Sequence, residues 1–263
     1  MQIATWNVNS LSVRLPHVLN WLQEHQPEVL CLQETKLSDD KFPREVWAGL
    51  GYRVKFFGQK TYNGVALITR SEATDVVHNI PGFADEQARV IAATVEGIRV
   101  IGAYFPNGES PKSDKFQYKM KWLKALSTWL VTELKQHSQL ALLGDFNIAP
   151  EDRDVHDPVA WAGQIHCTTE ERSYFQALIA LGLFDAFRLF EQASKSWSWW
   201  DYRNLAFRKN QGLRIDHILI SAALRDRARS CLIDKAPRKL ERPSDHAPVV
   251  LELSPPLSLI SPP

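Results

Sequence analysis

Cysteine is scarce, with Cys31, Cys167 and Cys231 scattered through 263 residues. That excludes a disulfide framework and a paired-thiol zinc site. Cys31 lies inside the apolar run Val29–Leu32 and reads as a small core hydrophobe. His166-Cys167 offers adjacent metal donors but no second pair, a weak motif. No apolar run approaches the roughly 20 residues of a membrane span. Met1–Trp6 leads into a strand-like run rather than a basic, then apolar, leader. The expectation is a cytoplasmic protein with reduced thiols and no membrane contact. Neither sign of charge dominates: 31 basic and 30 acidic residues give a net charge of +1. A uniformly basic nucleic-acid coat is excluded, although a local basic cleft is not. G-x-S-x-G, Walker A, G-x-G-x-x-G and H-E-x-x-H are all missing, which sets aside serine hydrolases, nucleotide motors, dinucleotide enzymes and zinc proteases. There is no internal repeat. Only Ser254–Pro263, with four prolines, reads as a tail. One domain over 1–254 followed by a tail over 255–263 is predicted.

What is present is an alternation of short apolar runs and helical patterns. Predicted strands are Gln2–Asn7, Val29–Gln33, Val65–Thr69, Val90–Val95, Arg99–Tyr104, Leu140–Leu143, Ile215–Ile220 and Val249–Leu253. Their Val, Ile and Leu content suits strands buried on both faces. Predicted helices are Arg14–His25, Pro43–Gly49, Ser113–His137, Glu170–Gly182 and Ala222–Arg229. In the longest, Phe116, Met120, Leu123, Leu126 and Leu130 form a stripe, Trp122 and Trp129 read as packing residues, and Ser113 serves as N-cap. The class is α/β or α+β, with helices outside a sheet core.

Oxygen and imidazole donors gather where strands end. Asn7 and Asn9 follow the first strand, and Glu34 follows the second. Tyr104 and Asn107 follow Arg99–Ala103, and Asp145 and Asn147 follow Leu140–Leu143. Asp216 opens a strand, and Asp245-His246 precedes the last. Such loops carry function on a rigid scaffold. Asn and Asp also serve as turn formers, so any one of them has a plain structural reading. Glu is a poor turn former, and the set as a whole offers hard oxygen ligands plus one titratable base. That donor chemistry suits Mg²⁺, which normally works on phosphates.

Five ordered motifs then carry a resemblance: Thr5-Trp6-Asn7-Val8-Asn9-Ser10, Leu32-Gln33-Glu34-Thr35-Lys36, Leu143-Gly144-Asp145-Phe146-Asn147, Leu213-Arg214-Ile215-Asp216-His217 and Arg242–Pro248. Together they resemble the exonuclease III / AP endonuclease family of the endonuclease/exonuclease/phosphatase superfamily, over almost the whole chain. Tyr62–Ala66 and Trp199–Arg203 favour its DNA-repair branch. The resemblance implies a DNase I-like four-layer α/β sandwich, two packed mixed sheets flanked by helices. It implies cleavage of phosphodiesters in double-stranded DNA at abasic sites or blocked 3′ ends, with Mg²⁺ as cofactor and Mn²⁺ as an alternative. Carried over, Glu34 holds the metal with Asn7 and Asp245 close by. Asp145 orients or deprotonates the attacking water, Asn147 donates to the phosphate, and His246 contacts it with Asp216 fixing its tautomer. Tyr104 and Asn107 bind the scissile phosphate or assist the leaving group. Asp145, Asn147 and His246 remain alternative ligands for a second metal, and Asp145 and His246 alternative general bases.

For substrate binding, Lys235, Arg238, Lys239 and Arg242 form one basic group. Arg203, Arg208, Lys209 and Arg214 form another beside Trp197, Trp199, Trp200 and Tyr202. Basic residues interleaved with aromatics suit phosphate contact plus stacking or wedging; a solvated loop over a Trp-rich core is the plain alternative. By resemblance, Trp199, Leu213 and Ile215 form the apolar pocket for a baseless sugar. His166 either narrows that cleft and favours 3′-end trimming, or is a surface-loop histidine. Competing functions are a same-fold phosphoesterase acting on RNA or a small phosphorylated ligand, and a silent DNA-binding module. Nothing points to an obligate oligomer, so a monomer is expected.

Overall fold

A computed structural model describes residues 1–255. The predicted tail lies outside the described residues apart from Pro255. In chain order the elements are β1 Gln2–Asn7, α1 Leu11–His25, β2 Val29–Gln33, α2 Glu45–Ala48, β3 Arg53–Phe57, β4 Val65–Thr69, β5 Thr74–His78, β6 Val90–Val95 and β7 Ile98–Tyr104. There follow α3 Asp114–Gln136, β8 Leu140–Asp145, α4 Pro158–Trp161, α5 Thr169–Ala180, β9 Phe184–Asp185, β10 Asp216–Ile220, α6 Ala222–Arg225, β11 Ala228–Ile233 and β12 Val249–Leu253.

The strands form two six-stranded mixed sheets, ordered β11-β12-β1-β2-β4-β3 and β5-β6-β7-β8-β10-β9. The period of two in each strand decides the layers. Ile3, Val29, Cys31, Val65 and Leu67 of the first sheet meet Val100, Ala141, Leu143, Ile218 and Ile220 of the second. The opposite face of the first sheet, through Ala4, Trp6, Leu30, Leu32 and Ile68, packs on Val18, Trp21 and Leu22 of α1. That of the second, through Ile101, Leu140, Leu142 and Leu219, packs on α3 and α5. Both faces of the central strands are therefore dry, which is why those strands read as continuous apolar runs. The result is the predicted four-layer sandwich.

Several boundaries differ from expectation. The predicted helix over Ala222–Arg229 is wrong in its second half: the helix stops at Arg225, and Ala228–Ile233 pairs antiparallel with β12. Sheet completion overrides the helix propensity of an Ala/Arg-rich segment. Strands β3, β5, β9 and β11 were not predicted. Helix α1 starts at Leu11 and runs through Pro16, at the cost of one backbone bond. In α3, Ser113 Oγ accepts from Phe116 N at 3.1 Å as a cap. The buried stripe includes Lys119 and Glu133, while Met120 lies half-buried beside it.

Candidate active site

Strand direction alone gathers the site. Parallel pairs β1–β2 and β7–β8 finish at one edge of their sheets. Strands β10 and β12, antiparallel to β8 and β1, begin at that same edge. Because β1 and β2 face β7, β8 and β10 across the core, the two edges converge. There Asn7 Nδ2 donates to Glu34 Oε1 (2.8 Å) and to Asp145 Oδ2 (2.9 Å), bridging the sheets.

Glu34 adopts a left-handed conformation, φ 51°, which costs a non-glycine residue of order 1 kcal/mol or more. The following residues hold it there, with Thr35 N donating to Gly64 O and Lys36 N to Asn63 O. Only glycine fits at 64, since φ is +91° and a Cβ would lie 2.1 Å from Thr35 Oγ1. The motif around Asn63-Gly64 is thus a support for Glu34. Gly144 plays the same part beside Asp145: its φ is +153°, and a Cβ would lie 1.8 Å from Ala103 O on the neighbouring strand.

Asp145 is buried. Its Oδ1 accepts from Asn147 N at 2.9 Å, and its Oδ2 lies 3.7 Å from His246 Nε2. The His246 ring faces Asp216 through Nδ1, 2.8 Å from Oδ2, and the Ser198 hydroxyl accepts from the backbone N–H groups of Ile215 and Asp216. Burial alone would depress the imidazole, but Asp216 and then Asp145 outweigh it and carry its pKa up to about 10. Both nitrogens therefore keep their protons at neutral pH. Burial pushes the Asp145 carboxyl up to about 7; His246 opposes that rise, whereas Asp216 and Glu34 add to it. Burial, with Glu34 and Asp145 close by, raises Tyr104 well above the ordinary phenol range, so its hydroxyl remains a donor.

A cavity of about 160 Å³ is lined by Glu34, Tyr104, Asn107, Asp145, Asn147, His166, Trp199, Ile215, Asp245 and His246. Asn107 Nδ2 lies 3.4 Å from Asn147 Oδ1, and Asp245 accepts from Asn9 Nδ2 (3.0 Å) and Trp199 Nε1 (2.9 Å). Asn7 and Asp216 stand behind the lining as buried orienting groups. Beside the cavity runs a groove of about 840 Å³ that shares Tyr104 and Asn107 and adds Gln59, Gln87, Arg89 and Lys115.

Not every predicted residue reaches the cavity. Leu213 is fully buried and packs behind Trp199 with Val155 and Cys167, so the apolar lining of the cavity is half-buried Trp199 with buried Ile215. Arg203 is solvent-exposed and paired with Asp201, Nη2 to Oδ2 2.6 Å. Arg214 is buried between Asp154 and Asp185, and Arg238 is buried against Trp200 and Phe207 while donating to Ser244 O. Both arginines brace the core rather than offering charge to a ligand. Trp197 and Trp200 are likewise core residues. The surface reading of His166 is overturned: it is buried, its φ is 72°, and its Nδ1 donates to Asn147 O at 2.8 Å. Burial, reinforced by Lys119, lowers its pKa to about 4, leaving a neutral ring. Sequence reasoning missed Ser198 as an orienting group, and it quoted Lys36 only within a motif. Lys36 Nζ contacts Glu34 Oε2 at 3.2 Å and Asn9 Oδ1 at 2.6 Å.

Glu34, Asp145 and His246 present ligand atoms within 4.8 Å of one another. The carboxylates of Glu34, Asp145 and Asp245 converge on one small cavity. A hard divalent cation offsets such an excess of oxygen charge, so the donor set fits one.

A two-sheet sandwich presenting buried carboxylates, amide donors, a charged imidazole and a protonated phenol at one edge defines a hydrolase of phosphodiesters, a nuclease. Known proteins agree. The model of the Endonuclease/Exonuclease/phosphatase family matches residues 4–246, and the chain belongs to that family. It is 39% identical to an exodeoxyribonuclease III of Haemophilus influenzae over 96% of this chain and 99% of the relative. Among solved structures it resembles a 3′-phosphatase from Neisseria bound to a product DNA hairpin, with TM-score 0.95, 49% identity and coverage of 97% and 99% of the two chains. It also resembles an AP endonuclease from Archaeoglobus fulgidus, with TM-score 0.93, 36% identity and coverage of 97% and 100%. Among the described residues no helix is long and apolar enough to cross a membrane.

Proposed function

We propose that this chain is a Mg²⁺-dependent DNA-repair phosphodiesterase, with Mn²⁺ able to substitute, and that its dominant substrates are blocked or recessed 3′ ends of double-stranded DNA rather than internal abasic sites. The observation that carries the preference is His166. Its neutral ring is anchored to Asn147 O and lies with its centroid 6.4 Å from that of Trp199, on the sugar side of the cavity. A terminal phosphate and its sugar can enter from one direction. An internal abasic residue must also pass its 3′-linked strand beside that ring. The 49% identical neighbour described as a 3′-phosphatase supports the same reading.

All these reactions break the same P–O3′ bond, so one set of groups serves them. Asp145, held by Asn147 N and Asn7 Nδ2, takes a proton from the attacking water as the new O–P bond forms. His246, its Nδ1 held by Asp216, acts as a donor through Nε2–H to the non-bridging oxygens, while Asn147, whose amide donates to Phe105 O at 3.0 Å, keeps Asp145 in place through its backbone N–H. Tyr104, with Asn107 beside it, gives the departing 3′ oxygen its proton. Glu34 with Asp245 would hold the cation, which when bound supplies positive charge to the phosphate and the departing oxygen. Trp199 and Ile215 take the sugar face. The groove containing Arg89 and Lys115 receives the strand.

The test uses end-labelled duplexes carrying a 3′-phosphate nick, an undamaged recessed 3′ end or one internal abasic analogue, each with Mg²⁺ and with EDTA. Wild type is expected to process 3′ ends fastest, and only with Mg²⁺. His166→Gly is expected to raise abasic cleavage relative to 3′-phosphate removal at least tenfold. An unchanged ratio discards the role of His166, and product in EDTA discards the metal.

A further inference from the structure

We infer that Lys119 of α3 is a positioning residue for cleavage: its buried ammonium sets the spacing of the two asparagines that line the cavity. Lys119 sits one turn beyond Phe116 on the buried face of α3 and is wholly enclosed. An ammonium has three donors, and each finds a separate partner. Nζ donates to Asn107 O at 3.2 Å, to Asn147 O at 2.8 Å and to Glu171 Oε1. The first two partners are backbone carbonyls of the residues whose side chains meet at the cavity. They belong to different loops, after β7 and after β8, so a single cation fastens both.

The third partner extends the hub to a third loop. Besides Lys119, Glu171 Oε1 accepts from His166 N at 3.1 Å, while Oε2 accepts from Thr168 N and Thr168 Oγ1 at the start of α5. Asn147 O receives both the ammonium and His166 Nδ1. The loop around Asn107 is closed down onto the lysine stem, since a Cβ at Gly108 would lie 3.1 Å from Lys119 Cδ. Asn147 itself sits at φ 50°, a left-handed conformation that asparagine tolerates. Nothing in the reaction needs a charge at this depth. A buried lysine is costly unless every donor is used, and here every donor is spent on site loops and on the glutamate that pins His166.

The consequence is a separation of effects. Losing the ammonium frees the Asn107 and Asn147 loops to shift relative to Asp145. A misplacement of about 1 Å at a reacting centre costs roughly a hundredfold in rate, so kcat falls while duplex binding along the groove persists. The inference rests on the roles proposed above for Asn107 beside Tyr104 and for Asn147 beside Asp145.

The test compares Glu171→Gln, which leaves the Lys119 nitrogen beside both carbonyls, with the double variant Lys119→Met/Glu171→Gln, which removes that nitrogen and the buried carboxylate together. Each is assayed for kcat and KM on the 3′-phosphate duplex and for thermal midpoint, and the Asn side-chain amide resonances are recorded by NMR. The double variant is expected to fold, to lose about a hundredfold in kcat with KM within threefold of wild type, and to shift the Asn107 and Asn147 amide signals. Glu171→Gln is expected to keep kcat within about threefold even where its midpoint drops. A double variant with wild-type kcat overturns the inference. So does a Glu171→Gln variant that loses kcat as severely as the double variant, because the ion pair rather than the carbonyl contacts would then matter. If the double variant does not fold, Lys119→Arg decides, because it keeps a cation beside Glu171 while changing its reach to the two carbonyls. Shifted Asn107 and Asn147 signals with kcat intact would overturn the inference, whereas shifted signals with kcat lowered at least tenfold would support it. Asn147→Ala is the control on the underlying reading: wild-type turnover there would remove the role of Asn147 whatever Lys119 does.

Discussion

Asp216→Asn isolates the charge behind His246. The amide oxygen placed there can still accept from Nδ1–H, so the ring keeps its orientation; what disappears is a full negative charge 2.8 Å from the imidazole. Two unit charges about 4 Å apart interact by about 4 kcal/mol at an effective dielectric of 20, equivalent to about 3 pH units. Burial opposes protonation of His246, and Asp145 at 3.7 Å remains as the other nearby anion. The imidazole should therefore move from about 10 to about 7. Wild type holds its phosphate donor through pH 9, whereas the variant loses it across the assay range. In kcat/KM against pH, the expectation is a new alkaline limb near pH 7, with activity falling about tenfold per pH unit above it. The ¹⁵N shifts of the His246 ring, followed over pH 5–10, report the same proton directly. A variant whose kcat/KM stays level from pH 7 to 9, or whose ring nitrogens titrate as in wild type, would refute the assignment of His246 as a carboxylate-held donor.

Asp145→Asn should leave the thermal midpoint within a few degrees of wild type and lower kcat at least a thousandfold, since the amide cannot take the water proton; wild-type-like turnover would sink its role as base. Gly144→Ala should cost more than about 4 kcal/mol and yield little soluble protein, because the new Cβ would meet Ala103 O at 1.8 Å with φ at +153°; solubility and urea melts read this. His217 is buried with its pKa lowered to about 4 by burial and Arg214, so the unfolded chain binds its proton first and stability is lost as pH falls from about 6.5 towards 4. The stability gap between wild type and His217→Gln should narrow by about 1.4 kcal/mol per pH unit across that window, and a constant gap in urea melts would contradict it.

The parts of the fold legible in the sequence were those whose physics is local or saturated. Strands β1, β2, β4, β6, β7, β8, β10 and β12 are buried on both faces or close to it and declare themselves as apolar runs. The missed strands lie at or near sheet edges. Thr74–His78 is mostly exposed, and Ala228–Ile233 has only Cys231 fully buried and opens with the helix-favouring Ala228-Arg229. Phe184–Asp185 has only two residues. Their identity is fixed by a neighbour's unpaired backbone, which no short window of sequence contains. Ala222–Arg229 failed for the same reason, its helix-favouring composition giving way to the open edge of β12.

At the site the split is similar. Asn7, Glu34, Asp145, Asn147 and Asp245-His246 were visible because strand ends and ordered motifs mark them. Their division of labour was not visible, because it depends on which groups meet across the two sheets. Asn7 turns out to bridge Glu34 and Asp145, and Asp216 to stand behind His246. Lys119 was hidden more thoroughly, since a lysine beside an apolar helical stripe ordinarily reads as solvated charge. His166 was left between two readings, cleft residue or surface-loop histidine, and only the closure of α5 and Glu171 over it removes the second. Both cases involve polar groups whose burial becomes affordable only when partners from distant segments arrive together. The carbonyls of Asn107 and Asn147 supply those partners for Lys119, and Asn147 O and Glu171 supply them for His166. The strand-end motifs therefore account for the donor groups that meet at this edge, while the buried polar hub beneath them ties together the loops that carry Asn107, Asn147 and His166.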